Sequence, residues 1–422
     1  VSRQESRFRP QKGSLKKYEI SSEKTENIAF KAKLKINHRT ERQQVLGEIK
    51  RTLGNRFYDP EFHGQNWEKL NKHYEERILN ASTKHDFRDM VNRMLGQLNA
   101  SHMGLYGSDR ADTEKDATGR LGAEITPESK GVRVVRVIPN TPADKAFSKL
   151  YQDDLITAVN GEEINDNVNF YSLLTNTTDE KLLLSVKNKE KGDREVEIRP
   201  QASVRTELYN EWVEHTRDLV DKYSNGKLGY LHIQGMNWES FERFETEFAA
   251  AAESKEGIVI DVRFNGGGWT TDYLMAVLNV KQHAYTIPRG ATNSLENHGK
   301  FANNYPFAER LPFFPWTKPS VALCNENSYS NAEIFSHAYK TLGIGKLVGK
   351  PTFGAVISTG GQGLIDGSYV RVPFRAWYTK ATGKNQEWEP AVPDVIIENA
   401  PDCKVRNQDA QLKKAVDILL KK

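Results

Sequence analysis

Three short runs in the second half of the chain are mostly apolar: GYLHI at 229–233, GIVIDV at 257–262 and SVALC at 320–324. Each is followed by a segment patterned as a helix: WESFERFETEFAAAAES, TTDYLMAVLNV after a glycine loop, and NAEIFSHAYKTLG, which stops at Gly343. Glycine just past the last turn is a common helix ending. Strands alternating with helices point to a largely parallel sheet flanked by helices. Residues 207–422 are therefore expected to form an α/β core.

The chain has 422 residues, more than one compact core accommodates, so several domains are expected. Residues 1–37 begin polar and end in NIAFKAKLKI, which alternates as a strand does. They read as an arm. Residues 38–106 read as helical. Val45, Leu46, Ile49 and Leu53 share one helix face; Trp67, Leu70, Tyr74 and Ile78 share a second. Phe87, Met90, Val91, Met94, Leu95 and Leu98 mark a third helix, with Ser82 or Thr83 as its N-cap. These stripes are core-packing surfaces. A loop, GSDRADTEKDAT, follows. Residues 119–202 read as a small β-rich module with strands at VRVVRVI, LITAV, KLLLSVKN and REVEIRP. Asn160-Gly161 marks a tight hairpin and ADKAFSKL a short helix. An amphipathic helix near 207–223 ends at Asn225-Gly226.

Charge excludes one class of function. The formal net charge is +4 with 27% of residues charged, and both signs are interleaved along the chain. Nucleic-acid binders are more strongly and locally basic. No apolar stretch reaches the roughly 20 residues of a membrane span. The start, VSRQESRFRPQKGSLKKYEI, is polar rather than the apolar run of a signal peptide, and it does not begin with Met. A processed or excised piece is the expectation, and both cytoplasmic and periplasmic locations stay open. Cys324 and Cys403 are too few and too distant for a disulfide framework or a zinc site. Catalysis, if any, then rests on oxygen and imidazole chemistry without metal or cofactor.

Four segments carry residues suited to such chemistry. In NENSYSNAEIF, Ser330 falls at a strand-to-helix turn, where free backbone N–H groups and the helix dipole favour developing negative charge. Ser328 or Ser330 as a simple N-cap is the competing reading. In DVRFNGGGW, Gly266, Gly267 and Gly268 allow backbone N–H groups to approach a ligand closely. An oxyanion hole, a phosphate site and a structural turn are the alternatives. The phosphate loop needs a following Lys and Ser or Thr, and Trp269-Thr270-Thr271 follows instead. In LNASHMGLYG, His102 follows Ser101 where the third helix runs out. His337, nearest Ser330 in sequence, lies about two helical turns or roughly 10 Å away, too far for a general base. In GKNQEWEPAVPDVIIEN, Glu387 or Glu389 could orient an imidazole, or both could be solvated surface.

Together, and in this order, these segments resemble the C-terminal half of the tricorn protease family, which is related to tail-specific and C-terminal processing serine proteases. The phrases NRFYDPEFHGQNW, LNASHMGLYG, DVRFNGGGW, NENSYSNAEIF, KPTFG and PAVPD carry the resemblance over residues 38–400. It implies a helical cap, a PDZ-like module and a catalytic core of the tail-specific protease (crotonase-like) type. It also implies Ser330 as nucleophile, His102 as general base, and Ser101 and Glu387 completing a hydrogen-bonded tetrad. Glu387-Trp388-Glu389-Pro390 replaces the family's usual Glu-Asn-x-Gly, so Glu389 is the reserve acid. Gly266 or Gly267 with Asn331 would supply the oxyanion N–H groups.

Tail-specific proteases instead use a lysine about 25 residues beyond the serine, in a Thr-Phe-Gly-Lys phrase. Here Thr352-Phe353-Gly354 is followed by Ala355, which favours the tetrad. The implied activity is hydrolysis of peptides or unfolded proteins through an acyl-enzyme. The PDZ-like module has Arg120-Leu121-Gly122-Ala123 at its carboxylate loop and serves either substrate binding or a structural or gating part. A homo-oligomer is allowed. The rivals are a non-catalytic peptide- or ligand-binding protein on the same fold, a PDZ scaffold, and a tail-specific protease with a displaced base.

Overall fold

The apolar runs become strands buried along their whole length. The structure is a computed structural model and describes residues 15–28, 35–107, 113–303 and 315–421. It forms two compact units, Ala111–Leu231 and the remainder on either side of it. Among the described residues no helix is long and apolar enough to cross a membrane.

The larger unit opens with a hairpin of β1 (Leu15–Glu19) and β2 (Lys24–Ile28). The expected strand NIAFKAKLKI overlaps β2 only at its start, and 29–34 lie outside the described residues. Helices α1 (His38–Arg56), α2 (Trp67–Leu79) and α3 (Lys84–Gly96) follow, then β3 (Gly104–Tyr106). Thr83 is the N-cap of α3 and forms a capping box with Asp86. The helix stripes bury Val45, Leu46, Ile49, Leu53, Ile78, Phe87, Val91, Met94 and Leu95 in one core, together with Leu364, Val370 and Val372.

The smaller unit contains β4 (Ala123–Glu128), β5 (Gly131–Val137), β6 (Leu155–Val159), β7 (Glu162–Glu163), β8 (Leu182–Lys187) and β9 (Arg194–Ile198). They form an antiparallel sheet in the order β4-β5-β6-β8-β9, with β7 on β6. Asn160 and Gly161 join β6 to β7 with both φ positive, at 50° and 82°, as a tight hairpin requires. The short helix expected at ADKAFSKL is two 3-10 turns, Pro142–Asp144 and Ala146–Ser148. Lys145 between them is extended (φ −70°, ψ 141°) and interrupts any helix. Of the loop GSDRADTEKDAT, 108–112 lie outside the described residues. Helix α4 (Arg205–Ser224) ends on Asn225 in the left-handed conformation, and Arg136 of β5 is ion-paired to Glu211 of α4 at 2.6 Å. Strand β10 (Leu228–His232) follows and straddles the boundary of the two units.

The rest of the larger unit runs α5 (Trp238–Ala252), β11 (Gly257–Asp261), α6 (Thr271–Leu278), β12 (Ser320–Cys324), α7 (Asn331–Thr341), β13 (Lys346–Gly349), β14 (Ile357–Gly363), β15 (Tyr369–Ala376), β16 (Val395–Ile396) and α8 (Ala410–Leu420). Strands β11, β12, β13 and β16 pair in parallel, in that order. Every residue of β11 and β12 is buried, as in a parallel sheet covered on both faces. Strands β14, β15 and β3 form a separate antiparallel sheet. Arg263, just past β11, is almost wholly buried. Its guanidinium reaches Asp261 at 2.6 Å, Asp409 at 2.8 Å and Gln411 at 3.0 Å. It thereby ties α8 to the strand that leads into the glycine loop.

Candidate active site

The turn between β12 and α7 is built to hold Ser330 in a strained conformation. Ser328 is buried; its hydroxyl donates to the Val262 carbonyl at 2.8 Å and accepts the Asn325 N–H at 3.1 Å. Ser328 thus closes the turn rather than capping the helix. Ser330 immediately precedes α7 with φ 58° and ψ −118°. A non-glycine residue held there costs about 1–3 kcal/mol and persists only where its surroundings impose it. Glu333 is part of that surrounding. It is 1% exposed and accepts the Ser330 N–H at 3.0 Å, the Thr352 hydroxyl at 2.7 Å, and the N–H groups of Gly354 at 2.5 Å and Ala355 at 2.9 Å.

The glycine loop leaves β11 and turns back against the serine. Asn265, fully buried, accepts the Gly267 N–H at 2.9 Å, donates to the Ile233 carbonyl at 2.7 Å and, through its own carbonyl, accepts the Tyr329 N–H at 2.9 Å. Gly267 has φ 85°, and a Cβ there would lie 2.7 Å from Ser330 Cβ and 2.8 Å from the Asn331 nitrogen. No larger residue fits. The Gly267 N–H is held by Asn265, whereas Gly266 is exposed. Asn331 is the first residue of α7, so its N–H has no acceptor within the helix. Its side chain is occupied elsewhere: Oδ1 accepts the Thr271 N–H at 3.0 Å.

His102 stands just past α3 with φ 60°. Its Nδ1 lies 2.7 Å from Ser101 Oγ and 3.0 Å from the Tyr329 hydroxyl. The imidazole stacks on the Tyr329 ring, with centroids 4.6 Å apart and planes 14° apart. Burial, with a smaller push from the Arg371 charge, depresses its pKa to about 4, so the ring is neutral near pH 7. Ser101 gives Glu387 both its N–H at 2.5 Å and its hydroxyl at 3.0 Å. Glu387 is 1% exposed; burial raises its pKa while the two Ser101 hydrogen bonds oppose the rise. Glu389 points elsewhere, 43% exposed and ion-paired to Lys384 at 2.9 Å.

The structure therefore brings Ser101 into contact with both His102 and Glu387, and sets Gly267 and Asn331 beside Ser330. His102 reaches the Ser330 turn through Tyr329, the residue before Ser330, and Ser330 Oγ has no hydrogen bond to the imidazole. Such catalytic hydrogen bonds often tighten only in the substrate complex. Sequence reasoning missed Tyr329, Asn265, Glu333 and Arg371. A signal existed for Glu333, since serine followed three residues later by glutamate is a helix-start pattern.

Comparison with known proteins fits this geometry. The description of peptidase family S41 matches residues 227–397, that of the Tricorn protease C1 domain residues 38–96, and that of a PDZ domain residues 119–198. The part of the chain similar to peptidase family S41 is thus the part that carries the glycine loop and Ser330. More particularly, the chain is similar to tricorn proteases along most of its length. It is 28% identical over 402 residues to the Tricorn protease homolog of Saccharolobus solfataricus, covering 93% of this chain and 36% of that one. It is likewise 28% identical over 363 residues to the Tricorn protease of Thermoplasma acidophilum, covering 84% of this chain and 32% of the relative. The chain thus spans about a third of the length of these curated relatives. The crystal structure of the tricorn protease superposes on 97% of this chain and 39% of its own, with a TM-score of 0.81 at 24% identity.

Proposed function

We propose that this chain hydrolyses peptide bonds in peptides or unfolded proteins through a Ser330-His102-Ser101-Glu387 tetrad and an acyl-enzyme. The observation that carries the reading is the chain of contacts from Glu387 through Ser101 to His102 Nδ1. Hydrogen accounting gives it direction. A carboxylate only accepts, so the single Ser101 hydroxyl hydrogen goes to Glu387. Ser101 Oγ can then only accept from His102, which places the imidazole proton on Nδ1. Nε2 is left with its lone pair, the tautomer a general base needs.

In this mechanism His102 Nε2 takes the Ser330 proton as Oγ attacks the substrate carbonyl. The Gly266 and Asn331 N–H groups, with Gly267 shaping the loop, stabilise the oxyanion. His102 then protonates the leaving amine, and water attacking by the same route releases the acyl group. Ala355 occupies the lysine position of the tail-specific dyad, and its N–H serves Glu333, which leaves the imidazole as the base. In the smaller unit, a groove of about 480 Å³ beside the edge strand β4 is lined by Leu121, Ala123, Ile125, Phe170, Leu174 and Leu208. It is suited to a peptide added along β4, which supports a substrate-binding part for the module.

Labelling with a fluorophosphonate, with the modified residue mapped, tests the reading. Label on Ser330 in the wild type that His102→Ala abolishes is the expected result. Absence of label from folded wild type would favour the non-catalytic binding protein.

A further inference from the structure

Tyr329 lies outside the tetrad, yet it touches both His102 and the residue that holds the glycine loop. Its ring stacks on His102 at 4.6 Å, and on its other side it meets the Phe353 ring edge-on at 5.0 Å. Its N–H is held by Asn265, which also fixes the Gly267 N–H. The next residue is the nucleophile.

The position of its hydroxyl is informative. Nδ1 of an imidazole has one in-plane hydrogen-bonding direction, and Ser101 Oγ at 2.7 Å takes it. A phenol oxygen lies in the plane of its own ring. With the two planes only 14° apart, the Tyr329 oxygen, 3.0 Å from Nδ1, faces the imidazole from above. An oxygen dipole and an electron-rich ring there favour a cation over a neutral ring. Near pH 7 His102 becomes a cation only when it accepts the serine proton. Of the charged and titratable groups around it, Arg371 opposes that cation, while Glu387 supports it only through Ser101.

We propose that Tyr329 is a positioning residue for the general base: its ring fixes the imidazole plane, and its hydroxyl oxygen favours the imidazolium formed as His102 takes the Ser330 proton. This rests on the reading of His102 as the base. The role is electrostatic and steric, and no proton is transferred to or from Tyr329.

The test measures kcat and KM separately across pH for wild type, Tyr329→Phe, Tyr329→Leu and His102→Ala on one unstructured peptide substrate. Tyr329→Phe keeps the stack and removes the oxygen. It should lower kcat about three- to ten-fold at unchanged KM and move the acid limb of the profile to lower pH, because the imidazolium loses support. Tyr329→Leu removes the stack as well and should fall about ten-fold further. A Tyr329→Phe enzyme with wild-type kcat and an unmoved acid limb overturns the proposal, whether or not the leucine variant folds. If His102→Ala itself retains full activity, the assignment of the base has failed instead, and that result is distinct from the first.

Discussion

The site has two anchoring carboxylates, one behind Ser330, the proposed nucleophile, and one behind His102, the proposed base, and they differ in how completely they are used. Both are 1% exposed. Glu333 accepts four hydrogen bonds, three of them from backbone N–H groups at Ser330, Gly354 and Ala355. Glu387 accepts two, both from Ser101, and burial pushes its pKa up. A carboxylate saturated by fixed backbone donors acts as a structural joint. One left with spare acceptor capacity behind a histidine can respond when that histidine becomes charged. The comparison teaches that burial alone does not separate the two roles, whereas the identity of the donors does.

Changing each acid to its amide tests that distinction. Glu333→Gln should have the largest effect on the fold. An amide presents only one acceptor oxygen, so at least one backbone donor loses its partner and another meets an NH2 group. The expected loss is about 2–4 kcal/mol of stability, read from urea unfolding, with activity falling alongside it. A variant as stable as wild type would erase the contrast. Glu387→Gln should leave stability within about 1 kcal/mol but lower kcat by roughly a hundred-fold, because the Ser101 hydrogen and hence the histidine tautomer are no longer dictated. In the wild type, kcat/KM should hold as pH falls from 7 and decline only toward the depressed His102 pKa of about 4. The same shift predicts a stability effect of definite sign. The unfolded chain's histidine protonates at a higher pH than the folded one, so His102 lowers stability progressively as pH drops from its ordinary value toward about 4. Melting temperatures of wild type and His102→Ala should therefore converge or cross in that range. The smallest effect belongs to Glu389→Gln, since its exposed pair with Lys384 is worth at most about 1 kcal/mol and faces away from the site. Its kinetics should match wild type, and a large loss would reopen the choice between the two acids.

Much of the scaffold was legible in the sequence. LITAV and SVALC match β6 and β12 residue for residue, and the three helix stripes near the start became one buried core. Strands β14 and β15 were missed for identifiable reasons. ISTGGQG has three glycines and little apolar alternation, and YVRVPFRA contains Pro373. The structure accommodates that proline where the register shifts between Ser358 and Thr359, opposite Thr359, the kind of irregularity where proline is tolerated. The candidate site residues were proposed by resemblance to a family. Tyr329 and Glu333 were not, because what makes them matter is contact with residues far along the chain: His102 for one, Thr352 to Ala355 for the other. No local pattern reports such pairings.

Arg263 has a consequence for the order in which the molecule can be completed. Its guanidinium is shared among Asp261, Asp409 and Gln411, and four residues later the chain reaches Gly267. During synthesis, Ser330, His102 and the glycine loop all leave the ribosome before Asp409 does. Until then a cation destined for the interior lacks two of its partners, and burying it without them is costly. Helix α8 thus acts late: a nascent chain can possess Ser330, His102 and the glycine loop and still be unable to set that loop firmly against the serine.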